Sequence, residues 1–191
     1  PGWPDKKSTM YPLQKQLIKE GRIHAVELFN GSEWYPRVLD WFDEYKLPMM
    51  ANSDMHDSSR FVYGNKVRPM TLVFAKECTL EGIREALEAK RTLAYSAGYI
   101  CGDKQLLTDL FLASVKWEVV SVDKKKGTRT VRLTNMCSFK FQYKTSKNAL
   151  PVDLKPHHSI QINVAKGKQL NLTITNMLCG AEKSPKVTLE L

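Results

Sequence analysis

No apolar run in this chain approaches the roughly 20 residues a helix needs to cross a bilayer, so a helical membrane span is excluded. The first residues given carry no secretory-leader pattern, and the chain opens Pro1-Gly2-Trp3-Pro4 rather than on Met. That opening suits a trimmed or processed product, or a piece of a longer protein. No targeting signal chooses between a cytoplasmic and an exported chain. Cys78, Cys101, Cys137 and Cys179 stand far apart with no C-x-x-C, which argues against a zinc knuckle or ribbon. Histidine is scarce: His24, His56, His157 and His158 are the full set, with no H-x-H. No period typical of a solenoid recurs.

What is present is ordinary for a globular chain. The 191 residues are 42% apolar and 26% charged, enough for one large or two small domains. The net charge of +9 is unevenly spread. Residues 1–100 hold 14 Lys/Arg against 13 Asp/Glu, and residues 101–191 hold 15 against 7. A basic second half suits polyanionic partners, or simply keeps a β domain soluble and its edges guarded.

The first hundred residues alternate helix and strand. Leu13, Leu17 and Ile18 have helical spacing, and Gly21 can end that helix. Residues 23–30 read as a buried strand closing at Asn30-Gly31. Val38, Leu39, Trp41, Phe42 and Tyr45 form one helical face, entered at Tyr35-Pro36. Residues 48–52 and 69–75 are further strands. Thr79 is the expected N-cap of a helix over 80–91, with Lys90-Arg91 in its last turn. This order predicts a parallel α/β layout. After a helix near 104–112 the pattern is β only, with strands at 116–123, 129–135, 138–145, 159–165, 169–176 and 185–190. That predicts a small antiparallel, immunoglobulin-like β-sandwich. The expected domains are 1–110 and 111–191. Thr134-Asn135-Met136-Cys137 and Thr175-Asn176-Met177-Leu178-Cys179 share a local pattern that could bring the two cysteines together.

The chemistry concentrates at Ser53-Asp54-Met55-His56. Residues i and i+2 of a strand share a face. Asp54 and His56, placed where a strand ends, would thus present a carboxylate and an imidazole together. These donor types suit a divalent ion, although D-x-H alone equally suits a solvated loop.

The order of motifs adds context. Pro1-Gly2-Trp3, Val26-Glu27-Leu28-Phe29-Asn30-Gly31, Asn52-Ser53-Asp54-Met55-His56, Thr71-Leu72-Val73-Phe74 and residues 83–92 follow one another. This series resembles the C-terminal part of a PHP-domain (polymerase-and-histidinol-phosphatase) metal-dependent phosphoesterase, of the two-domain, phosphodiesterase-like kind. The resemblance covers residues 1 to about 95, and the β-rich tail fits the same two-domain pattern. It implies the later portion of a distorted β/α barrel, followed by the β domain. It also implies two or three zinc, manganese or iron ions and a phosphate ester substrate. Asp54 and His56 match the last D-x-H ligands of such a site. The family's H-x-H is absent, and the His expected before Pro1-Gly2 falls one position outside the sequence. The resemblance therefore implies that these residues begin inside the barrel and bind little or no metal alone. An open half-barrel would expose strand edges and invite homo-oligomers.

Other residues divide between roles. Arg60 could clamp a phosphate in bidentate fashion or remain solvated. Asn30 could hydrogen-bond at the site or serve as a turn residue before Gly31. Trp3 could line the substrate cleft or cover the barrel mouth. Glu27 is expected to pair with a basic side chain, and His24 to be structural. His157-His158 reads as a loop pair, and Trp34, Trp41 and Trp117 as packing residues. The rival reading is a non-catalytic module: a basic β-sandwich that binds a polyanion or glycan on an α/β scaffold. Nucleic acid is the less favoured polyanion. The strands offer few aromatics for stacking, and Phe139, Phe141 and Tyr143 alternate as core residues do.

Overall fold

Pro12, whose ring presets a helical φ, opens helix α1 (Pro12–Lys19), and Gly21 at φ +67° turns the chain out of it. Strand β1 (Val26–Asn30) is shorter than the expected 23–30. Its parallel partner β3 (Met49–Asn52) begins opposite Val26, and Pro48 before it has no N–H for the ladder. Between them, Gly31-Ser32 turns the chain into β2 (Glu33–Trp34), antiparallel to β1. A 3₁₀ turn over Pro36–Leu39 leads into α2 (Asp40–Tyr45), which Lys46 ends in the left-handed region at φ 53°. This computed structural model describes residues 9–64 and 66–191, so Trp3 lies outside the described residues.

The parallel arrangement stops at β3. After the short helix α3 (Ser59–Tyr63) comes β4 (Met70–Val73). It pairs antiparallel with β5 (Thr92–Ser96), which pairs antiparallel with β6 (Tyr99–Gly102). Ala97 and Gly98 both have positive φ, as a two-residue hairpin turn matched to strand twist requires. Threonine hydroxyls serve the free edge of β3. Thr71 Oγ1 accepts from the Ala51 N–H and donates to the Ala51 carbonyl, both at 3.0 Å. Thr92 Oγ1 donates to the Met49 carbonyl at 3.1 Å. β2-β1-β3 and β4-β5-β6 are thus separate sheets, and the described residues close no barrel.

Thr79 caps α4 (Leu80–Glu88), its Oγ1 accepting from the Gly82 N–H at 3.0 Å. The helix stops short of residue 91 because Lys90 is left-handed at φ 61°. Arg91 therefore lies past the helix, its backbone N–H donating to the Ala86 carbonyl at 2.9 Å. It donates from Nε to the Phe74 carbonyl at 3.0 Å and pairs with Glu85, holding that carboxyl below its usual range.

The chain divides into two compact units. One is residues 1–107 with 178–183, the other residues 108–177 with 184–191. The division falls within α5 (Lys104–Ser114). The core of the first unit is Leu28, Phe29, Val38, Leu39, Met49, Ala51, Ala94 and Cys101, joined by Leu178. Leu178 belongs to the short strand β13 (Met177–Leu178), beside β6.

The second unit is built from two antiparallel sheets. One has the order β11-β8-β7, from β7 (Val115–Asp123), β8 (Thr128–Asn135) and β11 (Ser159–Ala165). The other has the order β10-β9-β12-β14, from β9 (Phe141–Lys144), β10 (Val152–Leu154), β12 (Leu170–Ile174) and β14 (Lys186–Leu189). Alternation buries one side: Leu170, Leu172 and Ile174 on β12, Val187 and Leu189 on β14, Phe141 and Tyr143 on β9. The three-residue β10 has too little pattern to be read from sequence.

The repeated Thr-Asn-Met pattern has a structural meaning, and it lies in the asparagines. Asn135 is fully buried, and its amide donates to the carbonyls of Phe139 (2.7 Å), Leu154 and Lys155 (3.2 Å each). Asn176 accepts from the Gln142 N–H at 2.7 Å and donates to the Lys140 carbonyl at 2.8 Å. Both satisfy backbone groups around the entry to β9. All four cysteines are free thiols, so the pattern reflects no disulfide.

Candidate metal centre

The parallel pair β1 and β3 brings Asn30 and Asn52 side by side where both strands end. Gly31 continues the ladder by donating to the Asn52 carbonyl at 3.0 Å. Ser53 follows, its carbonyl accepting from the Tyr63 hydroxyl at 2.5 Å. Asp54 then turns left-handed at φ 49°, a conformation Asp tolerates better than most residues.

Asp54 and His56 do not share a strand face, because β3 ends at Asn52. The left-handed turn brings them together instead: His56 Nε2 lies 3.4 Å from Asp54 Oδ1. Both side chains are open to solvent, 88% for His56 and 56% for Asp54, so their mutual attraction contributes little to stability. Their position at the C-terminal ends of parallel strands is where α/β folds present ligands.

Three further groups define the neighbourhood. Asn30 Oδ1 is buried with no hydrogen-bond partner among the described residues. A buried acceptor left this way calls for a water or an ion. Glu27 accepts from Asn52 Nδ2 at 2.6 Å, so its partner is an amide rather than the expected basic side chain. Tyr35 donates its hydroxyl to Glu33. That bond, then partial burial, then the carboxylates of Glu33, Glu27 and Asp54 push the Tyr35 phenol up to about 12. Glu33 and Tyr35 were missed in the sequence because β2 is only two residues long. The one available signal was the Gly31-Ser32 turn.

The remaining candidates fall elsewhere. Arg60 is exposed on α3. His24 lines an apolar cavity of about 660 Å³ with Ile23, Leu47, Leu80 and Ile83, at the opposite ends of β1 and β3. His158 Nδ1 hydrogen-bonds the Pro156 carbonyl at 2.7 Å, as a loop residue would. Trp41 packs on the core, Trp34 stacks on Phe29 and Tyr99, and Trp117 donates to the Glu190 carbonyl at 3.0 Å.

The donor set fits a divalent ion in part. A carboxylate and an imidazole stand together, and an unpartnered amide oxygen lies on the neighbouring strand. Among the described residues, no group of three or more His, Cys, Asp or Glu side chains could hold a metal ion.

No family model matches the chain, and no curated protein matches it. Among solved structures it matches a crystal structure of a two-domain protein from Bacteroides vulgatus ATCC 8482 that contains a predicted PHP-like metal-dependent phosphoesterase. The TM-score is 0.87 at 30% identity. The fold is PHP-like. The match covers 96% of this chain and 57% of that one, so the chain spans a little over half the length of its neighbour.

Proposed function

We propose that this chain is the C-terminal portion of a metal-dependent phosphoesterase of phosphodiesterase-like kind, with Asp54 and His56 as metal ligands. On this reading the first unit is the later part of a β/α barrel, and the two antiparallel sheets of the second form a sandwich. The observation that carries it is the Asp54–His56 pair, 3.4 Å apart beyond parallel strands in a PHP-like fold. A bound zinc, manganese or iron ion would polarise a phosphoryl oxygen and acidify water. Asp54 and His56 would hold it, and Asn30 Oδ1 would accept from water or substrate beside it. Tyr35, its hydroxyl donating to Glu33, would present a neutral phenol beside an anionic ester. Arg60 and Trp3 would be further contacts to the substrate.

Two ligands do not define a coordination sphere, so residues 1–191 alone would bind metal weakly and hydrolyse nothing. The decisive test is metal analysis, with phosphatase and phosphodiesterase assays, on the longer protein that contains them. Stoichiometric metal and hydrolysis, both lost in Asp54→Asn and His56→Gln, are expected. A longer protein without stoichiometric metal would end this reading.

A further inference from the structure

One outward face of the second unit carries charge that no described side chain answers. Strand register sets Thr173 of β12 opposite Lys144 of β9 on one side and opposite Lys186 of β14 on the other. Paired residues share a face, so the three side chains form a row across three strands. Adjacent strands lie about 4.8 Å apart, which puts the two lysine Cα atoms roughly 10 Å from each other. Leu172, Ile174, Tyr143 and Val187 are buried on the other side, so this row points to solvent. In the next row, Thr188 Oγ1 donates to Asn171 Oδ1 at 2.7 Å, leaving the Asn171 amide nitrogen as the group on offer. Beyond β9, the turn adds Thr145, Ser146 and Lys147, and all these groups line a cavity of about 690 Å³.

The lining holds three lysines, several hydroxyls and an amide, with neither carboxylate nor aromatic ring. Lys140 and Lys126 are paired with Asp153 and Asp123. Lys144, Lys147 and Lys186 have no ion pair among the described residues. Ammonium groups lining one cavity suit ester oxygens of an anion, and the hydroxyls and amide suit a polyol. Without a ring for stacking, the cavity does not suit bases of single-stranded nucleic acid.

We propose that this cavity binds a carbohydrate carrying a sulfate or phosphate ester, with Lys144 and Lys186 gripping the anionic group and Asn171, Thr173 and Ser146 meeting the sugar hydroxyls. The site is independent of the Asp54–His56 reading.

Calorimetric titration of the 191-residue chain at low ionic strength tests it. The probes are a heparin-derived sulfated disaccharide, glucose phosphate, glucose, inorganic phosphate and a short single-stranded oligonucleotide. A charged sugar should bind at least about tenfold tighter than glucose or inorganic phosphate, and salt should weaken it. Binding of the disaccharide alone marks a sulfated glycan, and of glucose phosphate alone a phosphate ester. Lys144→Gln with Lys186→Gln should cost about tenfold or more. Lys147→Gln, in a loop where the ladder is not at risk, should cost less. Lys124→Gln with Lys125→Gln removes equal charge from the β7–β8 turn and should change affinity by less than about twofold. Equal losses from both pairs, no binding of either charged sugar, or tighter binding of the oligonucleotide would overturn the proposal.

Discussion

Asp54 shows how one backbone angle makes a site. At φ 49° most side chains crowd the following carbonyl, whereas Asp and Asn are tolerated. Asp54→Asn keeps that tolerance and removes only an exposed charge, so stability should move by less than about 0.5 kcal/mol. Asp54→Ala loses the tolerance and should cost about 1 kcal/mol more. Urea melts of the two variants separate conformation from charge. Tyr35 offers a second test. Its phenol and that of Tyr143 are both pushed up to about 12, Tyr35 mainly by its bond to Glu33 and Tyr143 by burial. In an ultraviolet titration, Tyr35→Phe should remove one late-ionising phenol. Glu33→Gln should move one back toward the ordinary value near 10. An unchanged titration in Glu33→Gln would show that the bond to Glu33 does not set this value.

Elements depend on contacts that local propensity ignores. Gly82 sits in the first turn of α4, where helix propensity alone makes Ala the better residue by about 1 kcal/mol. A Cβ there would come within 2.5 Å of the Glu77 carbonyl oxygen. Gly82→Ala should therefore destabilise, by about 1–3 kcal/mol, and a rise in melting temperature would contradict that. Asn135 joins the end of β8 to the approach to β9 and the exit from β10. Asn135→Ala strands buried carbonyls and should cost about 3 kcal/mol in urea unfolding. Asn135→Asp keeps the shape but loses the donors, so it should not recover the loss.

At the scale of the molecule, ionisation shapes stability at both extremes of pH. Glu85 is lowered chiefly by Arg91, and Asp153 chiefly by its bond from Gln142 and then by Lys140. A depressed carboxyl contributes stability above its unfolded pKa and loses it as pH falls through the folded value. The raised phenols Tyr35 and Tyr143 act oppositely: their contribution is full below pH about 10 and is lost as pH climbs through about 12. Urea midpoints should plateau between these limits and fall on both sides, and Asp153→Asn should flatten the acid limb. Charge is divided as unevenly as the fold. The second unit holds 13 Lys/Arg against 5 Asp/Glu, so its +8 supplies nearly all of the net +9.

Local patterning placed much of this molecule before any coordinates. The Thr79 cap, the alternation in Leu170–Ile174 and the D-x-H all depend on neighbours within a few positions, and sequence records such neighbours directly. The reading failed where the chain meets itself at a distance. The antiparallel pairing of β4 with β5 broke the expected parallel order, and a left-handed Asp54 replaced the shared strand face. Glu33 and Tyr35 reached the site through a strand of two residues. Lys144 and Lys186 lie 42 positions apart in sequence and share a row only because β12 runs between their strands. Strand order and register decide such meetings. They are set by which faces can be buried together, a property of the packed whole rather than of any short segment.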